Sequence, residues 1–359
     1  MEQMSENTFI KGADISTLQQ IEDFGGKFYD QSREQNCLDI LKNHGFNYIR
    51  LKVWNNPGLP ESDPAGYNNK EHVLQMANRV KKAGMGLLID FHYSDFWADP
   101  QRQSKPREWS NLDFDHLQQA VYDYTNNVIT DLKKQGTLPE MVQIGNEISN
   151  GFLWEDGRLD GIQATEEQWG RFITLLKSGL AGLSDSRDDR EKPIQRMIHI
   201  DKGGDYKYNR YFFDNLLSFG VDFEIIGQSY YPEWHGTLED LSDNLNKLAL
   251  NYDQDLIIVE TAYPWTTAAN SITPNKASKG LDGYPVNVEG QTKFLRDLMG
   301  IVKNVPQAKG AGFFYWEPGL ITVEGAGWKY GEGNEWANMT LFDFEGNALK
   351  SLDIIDSSG

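Results

Sequence analysis

Read for period alone, the chain alternates short apolar runs with longer stretches in which apolar residues recur every three or four positions. The first run is Phe9 to Ile15. Arg33 to His44 follows, with Cys37, Leu38 and Leu41 spaced for one face of a helix. A second run, Asn47 to Val53, leads to a helix from about Asn69 to Ala83, with Gly84 where left-handed caps are favoured. Gly86 to His92 is the third run, Leu112 to Lys134 a long amphipathic helix broken at Gly136, and Met141 to Asn146 the fourth run. Thr165 to Leu183 opens on a Thr-x-x-Gln pattern, Thr165 to Gln168, that signals a capping box. Arg196 to Asp201 is strand five, Tyr208 to Phe219 a helix, Glu224 to Ser229 strand six and Leu238 to Leu250 a helix. Leu256 to Glu260, a helix from about Val288 to Val302, and Gly310 to Trp316 complete the series.

Eight strand-helix units in succession predict an α/β chain folded as a single (β/α)8 TIM barrel, one domain over residues 1–359. A barrel of this kind takes about 250 residues, so the surplus must lie in connections. The longest polar stretches follow strands: Trp54 to Asn68, Tyr93 to Asn111, Gly151 to Ala164, Thr266 to Asn287 and Glu317 to Asn338. Loops in those positions rim the face where barrel enzymes carry their sites, and here they are expected to form a substrate groove. Ser184 to Lys192, rich in Asp and Arg, reads as a solvated loop.

Charge sits in unusual places. Met141 to Ile144 is apolar, yet Asn146 and Glu147 stand at its end, and the run beginning at Asp255 closes on Glu260. A carboxylate at the tip of a strand buried on both faces is paired, ligating or chemically employed. Two carboxylates on two strand ends are the minimum equipment for cleaving a glycosidic bond. The other strand ends supply Arg50, His92, His199, Asp201, Tyr230 and Trp316. A stability device does not need imidazoles, carboxylates, a guanidinium and an indole aimed at one cavity.

Composition narrows the partners. The formal net charge is -19, from Asp+Glu 53 against Lys+Arg 34, which repels nucleic acid and anionic membranes and suits a neutral substrate. No run of about 18 apolar residues is present, so no transmembrane helix is expected. Cys37, the one cysteine, reads as a core thiol. The start, MEQMSENTF, lacks the basic head and apolar centre of a secretory signal. The expected address is therefore cytoplasmic, or extracellular if a signal has been removed, and the expected state is a monomer. The 10 tryptophans and 16 tyrosines are many for this length, and flat aromatics match the apolar faces of sugar rings. Trp54, Trp97, Trp109, Trp154, Trp234, Trp265, Trp316 and Trp328 are candidate platforms, and Asp95 and Asp99 candidate groove residues.

Several segments carry a more specific resemblance: GADIS (Gly12 to Ser16), NYIRLKVWNNP (Asn47 to Pro57), DFHYSDFWADP (Asp90 to Pro100), QIGNEISNGFLW (Gln143 to Trp154), VETAYPW (Val259 to Trp265) and FFYWEP (Phe313 to Pro318). Together they resemble the endo-β-1,4-galactanases of glycoside hydrolase family 53, over nearly the whole chain. The resemblance implies a retaining hydrolase acting on the β-1,4-galactan of type I arabinogalactan. Glu147 matches its general acid/base and Glu260 its nucleophile. Retention needs carboxyl groups about 5 to 5.5 Å apart, close enough that one stays protonated while the other is ionised. Arg50 and the Tyr230 hydroxyl are expected to hold Glu260 charged. Asn146 is expected at the sugar 2-hydroxyl, His92 and His199 at the sugar or the carboxylates, and Trp316 as the platform beside the cleaved bond. Asp95, Trp97 and Asp201 complete the expected substrate-binding set, and His44, His72, His116 and His235 are left as surface or loop residues.

No cofactor is expected. Some members of the family bind calcium in the loop after strand seven, but Thr266 to Asn287 holds only one carboxylate, Asp282, which is poor equipment for calcium. Another clan member acting on mannan, xylan or cellulose shares the two-glutamate machinery. A metal-dependent barrel hydrolase using His92, His199 and Asp201 fits less well, because strand one offers Ala13 and Asp14 rather than a His-x-His pair. A non-catalytic carbohydrate-binding barrel would keep the aromatics and shed a carboxylate.

Overall fold

The computed structural model describes residues 8–58, 66–187, 192–268, 279–327 and 334–357. Among them, eight parallel strands form a closed barrel: Ile10–Asp14 (β1), Tyr48–Val53 (β2), Gly86–Phe91 (β3), Met141–Ile144 (β4), Gln195–Ile200 (β5), Ile225–Ser229 (β6), Asp255–Thr261 (β7) and Gly310–Trp316 (β8). The strand order is β1-β8-β7-β6-β5-β4-β3-β2. The helices between them are Cys37–Asn43 (α1), Lys70–Lys82 (α2), Phe114–Lys134 (α3), Glu166–Asp185 (α4), Tyr206–Ser218 (α5), Leu238–Asn251 (α6) and Val288–Lys303 (α7).

Packing divides the chain into two compact units. One comprises Met1–Arg50, Gly203–Tyr206 and Gln228–Gly359, and the other Leu51–Lys202 and Lys207–Gly227. In the first, β1 lies between β2 and β8 with Asp14 opposite both Arg50 and Trp316, so three tip residues stand at one level. Ile258 pairs with Phe313 but Thr261 with Tyr315, so β7 carries an extra residue just where Glu260 stands. Such a bulge re-aims a side chain. Gln291 of α7, fully buried, donates to the carbonyls of Tyr263 (2.7 Å) and Thr340 (3.0 Å) and so fixes the loops that follow β7 and β8.

In the second unit Asp90 pairs with Gln143 and Gln143 with Met197, which aligns β3, β4 and β5. Helices α3 and α4 pack closely against one another. A Cβ on Gly182 would lie 2.4 Å from the Tyr122 carbonyl oxygen, so only glycine allows this approach. The Asn126 amide donates to the Gly182 carbonyl across the contact at 3.1 Å.

The alternating pattern located all eight strands and the helices between them, with ends shifted by a few residues. Two features escaped it. The expected helix Arg33 to His44 begins only at Cys37, because the Asn36 side chain caps it by accepting from the Leu38 amide at 2.9 Å. Arg33–Gln35 instead pairs with Phe28–Asp30 in a small hairpin, preceded by a short helix, Leu18–Asp23. Segments of three residues are too short for period to reveal. Cys37 is fully buried, as its apolar neighbours suggested.

Candidate active site

The first unit holds Glu260. The residue is 6% exposed; Oε1 accepts from Arg50 Nη1 at 2.7 Å and Oε2 from the Tyr231 hydroxyl at 3.1 Å. The same guanidinium nitrogen lies 2.9 Å from Asp14 Oδ2, and Asp14 is held in turn by the Ser16 amide (3.0 Å) and hydroxyl (2.6 Å). A buried cation is thus shared between two carboxylates, and charge-assisted bonds of this kind are about twice as strong as neutral ones. Trp316, 8% exposed, meets Trp336 edge to face at 4.8 Å, and Trp336 meets Tyr231 at 5.8 Å. A cavity of about 330 Å³ opens beside Tyr231, bordered by Trp234, Ala262, Tyr263, Lys279 and Met339. Trp234 stands 53% exposed.

Tyr230 does not hold Glu260. Its hydroxyl donates to the Gly236 carbonyl at 2.9 Å and its ring stacks on Phe294 at 6.4 Å. Burial pushes that hydroxyl above the usual tyrosine range, which keeps it a neutral donor. Successive side chains at a strand end point to opposite sides, so the neighbouring Tyr231 takes the place expected of Tyr230.

The second unit holds Glu147. Gly145 (φ 82) ends β4, and Glu147 itself is left-handed, with φ 48 and ψ 50. Non-glycine residues in this region are uncommon and cluster at functional sites. Tyr93 and Glu317, just beyond β3 and β8, share the conformation with φ 50 each. The Glu147 amide faces His199 Nδ1 at 3.4 Å. Asn146, 5% exposed, donates from Nδ2 to the Ala98 carbonyl (2.8 Å), and its Oδ1 lies 3.1 Å from both Gln143 Nε2 and His199 Nδ1. Gln143 also donates to Asp90 Oδ1 at 2.7 Å. This network of Asp90, Gln143, Asn146 and His199 is buried throughout.

His92, expected at the substrate, is 3% exposed and has both ring nitrogens committed. Nδ1 accepts from Trp54 Nε1 and the Ala98 amide, each at 3.1 Å, so the proton sits on Nε2, which donates to Asp90 Oδ2 at 3.0 Å. Trp97 receives the buried Lys52 ammonium over its ring at 4.1 Å. Asp95 accepts from the amides of Asn56 and Arg107, each at 2.9 Å, and so ties loop to loop. Asp99 closes a turn by accepting from the Gln101 amide at 2.8 Å. Asp201 accepts from the Ser149 hydroxyl and pairs with Lys202 at 2.9 Å. Trp54 and Trp109 are core side chains, at 1% and 8% exposed, and Trp265 packs on Phe344 at 4.8 Å. Of the other histidines, His116 is exposed, while His235 accepts from the Tyr231 amide at 3.0 Å. Trp328 lies outside the described residues, as does part of Thr266 to Asn287. Among the described residues no group of three or more His, Cys, Asp or Glu stands close enough to share a metal ion, and no helix is long and apolar enough to cross a membrane.

Tyr231, Asp90, Gln143, Gln103 and Trp336 were not singled out by sequence. The two glutamines and Asp90 lie within or beside motif segments, but an uncharged or paired side chain inside an apolar strand gives no signal of its partners.

Residues 10–355 match the family described as Glycosyl hydrolase family 53. An uncharacterized protein of Niallia circulans is 45% identical over 98% of this chain and 94% of its own length. The endo-beta-1,4-galactanase of Bacillus subtilis (strain 168) is 33% identical over 96% of this chain and 85% of its own. The solved structure of the Ignisphaera aggregans GH53 catalytic domain superimposes with a TM-score of 0.90 at 40% identity, covering 98% of this chain and 96% of that one.

Proposed function

The chain belongs to glycosyl hydrolase family 53, and from that premise we propose that it is a retaining endo-β-1,4-galactanase, a cofactor-independent monomer with one catalytic domain. Its substrate in this reading is the β-1,4-galactan of type I arabinogalactan. The galactanase activity named for the Bacillus subtilis relative supports the substrate class. The observation that carries the mechanism is the grip on Glu260: a buried carboxylate at a bulged strand end, accepting from Arg50 at 2.7 Å and Tyr231 at 3.1 Å.

Hydrogen bonds from a guanidinium and a phenol favour the ionised carboxylate, the form a nucleophile must have. In the first displacement Glu260 bonds to the anomeric carbon as the glycosidic bond breaks, and the Glu147 carboxyl gives its proton to the departing oxygen. Water then attacks the same carbon, yields its proton to Glu147 and frees Glu260. Asn146 belongs at the sugar 2-hydroxyl and Trp316 under the ring. His199 and the Asp90–Gln143 pair orient Asn146 rather than touch the sugar.

The test is reducing-sugar release from debranched β-1,4-galactan, run beside mannan, xylan and carboxymethyl-cellulose. Turnover of galactan by the wild type and its loss in Glu260→Ala is the expected result. Turnover of another glycan with galactan untouched would overturn the substrate assignment.

A further inference from the structure

The loop after β3 and the turn after β4 are joined by side-chain amides. Asn146 donates to the Ala98 carbonyl at 2.8 Å and Asn150 to the Pro100 carbonyl at 3.0 Å. Gln103 runs the other way, from the loop into the turn. Its Nε2 lies 2.8 Å from the Asn146 carbonyl oxygen, 3.4 Å from that of Glu147 and 3.1 Å from that of Asp99. Three carbonyls surround one nitrogen, so only the amino end of this amide can face them. The side chain is 2% exposed, and its own backbone carbonyl accepts from the Trp154 amide at 2.7 Å. Its Oε1 has no hydrogen-bond partner among the described residues. A buried oxygen left unsatisfied is costly, so the orientation is held by what the amino end does.

What it does is hold a backbone that resists being held. Glu147 is left-handed without being glycine, and such a residue stays in place only where its surroundings over-determine it. The peptide before it presents its amide to His199 Nδ1 at 3.4 Å and its carbonyl to Gln103; the peptide after it presents its carbonyl to Gln103 as well. Fixing both peptides fixes the direction in which the Glu147 side chain leaves the backbone.

We propose that Gln103 is a positioning residue for Glu147, holding the left-handed turn through its two carbonyls so that the carboxyl is aimed at the leaving oxygen. The inference rests on the reading of Glu147 as general acid/base. Misplacing an acid by a fraction of an ångström slows the step that needs its proton and spares the step that does not.

Gln103→Met keeps the length and apolar stem and removes the donors. The assay compares kcat/KM, which reports glycosylation, for galactan, a phenyl β-galactobioside and a 2,4-dinitrophenyl β-galactobioside, whose leaving group departs without a proton. The variant should lose about 10- to 100-fold on galactan and on the phenyl glycoside, and keep the dinitrophenyl glycoside within about threefold. Equal losses on all three, or no loss on any, with the wild type active, would overturn the positioning role alone. A wild type that cleaves neither galactan nor the galactobiosides would overturn the galactanase reading and the inference with it. Gln103→Glu gives a second readout should the first variant not fold. Its carboxyl can donate only when protonated, so activity on galactan should be regained toward acid pH relative to the wild-type profile; an unshifted profile would overturn the proposal.

Discussion

At the level of single residues, the strongest restraint is the Arg50 guanidinium, which serves Asp14 and Glu260 through one nitrogen while 1% exposed. Removing a partner from a buried pair leaves an uncompensated charge and costs about 3–5 kcal/mol. Arg50→Met is therefore expected to lower thermal stability measurably as well as activity. Tyrosines 230 and 231 give a sharper contrast. Tyr231→Phe removes a donor to the Glu260 carboxylate and should lower kcat/KM on galactan by about 10- to 100-fold, the value of a hydrogen bond to a charged group. Tyr230→Phe removes a bond to the Gly236 carbonyl, so it should leave kcat/KM within about twofold and cost about 1 kcal/mol in denaturant unfolding. The opposite ranking would return Tyr230 to the site. Glu147 and Glu260 stood out in the sequence as candidates because a charge closing an apolar run is conspicuous. The choice between two adjacent tyrosines was not, since it turns on which side of the strand end each faces. Gln103 was illegible because its function is a hydrogen bond to backbone carbonyls 43 and 44 positions away.

At the level of elements, the ends of helices and strands carry the specific information. The Thr165 side chain accepts from the Gln168 amide at 3.2 Å and the Gln168 side chain from the Thr165 amide at 2.9 Å, the reciprocal capping that the Thr-x-x-Gln pattern predicted. Thr165→Ala should cost about 1 kcal/mol in thermal or denaturant unfolding. Between α2 and α3, Lys70 bonds Asp131 at 2.7 Å, and that bond above all holds the carboxyl below the usual aspartate range. A depressed folded-state pKa means that the stabilisation is present above the unfolded value, near 3.9, and is lost as pH falls through the folded one. Asp131→Asn should thus lower stability at pH 7 by about 0.2–1 kcal/mol, a difference that closes in unfolding curves measured toward pH 3. A difference constant with pH would rule out the ion pair as its cause. The helix caps were readable because they are local in sequence. The bulge in β7 was not, since an extra residue appears only against the register of a neighbouring strand.

At the level of the whole molecule, a net charge of -19 surrounds a site assigned to an uncharged polymer. Steering depends on charge on both partners and weakens with salt. Turnover of galactan should therefore change by less than about twofold between 20 and 500 mM salt, read as kcat/KM at fixed pH. A steep fall would point to a cationic substrate and a steep rise to an anionic one. The strand-helix alternation made the barrel legible from its period, whereas the function required motif segments from six places in the chain. In the proposed double displacement Glu260 carries the glycosyl group covalently between the two steps. Incubation with a 2-deoxy-2-fluoro-β-galactobioside bearing a dinitrophenyl leaving group, followed by proteolysis and mass spectrometry, tests it directly. One label per chain on the peptide containing Glu260, absent from Glu260→Gln, is the expected result. A label on Glu147 or another residue, or turnover to the inverted sugar with no label, would contradict it.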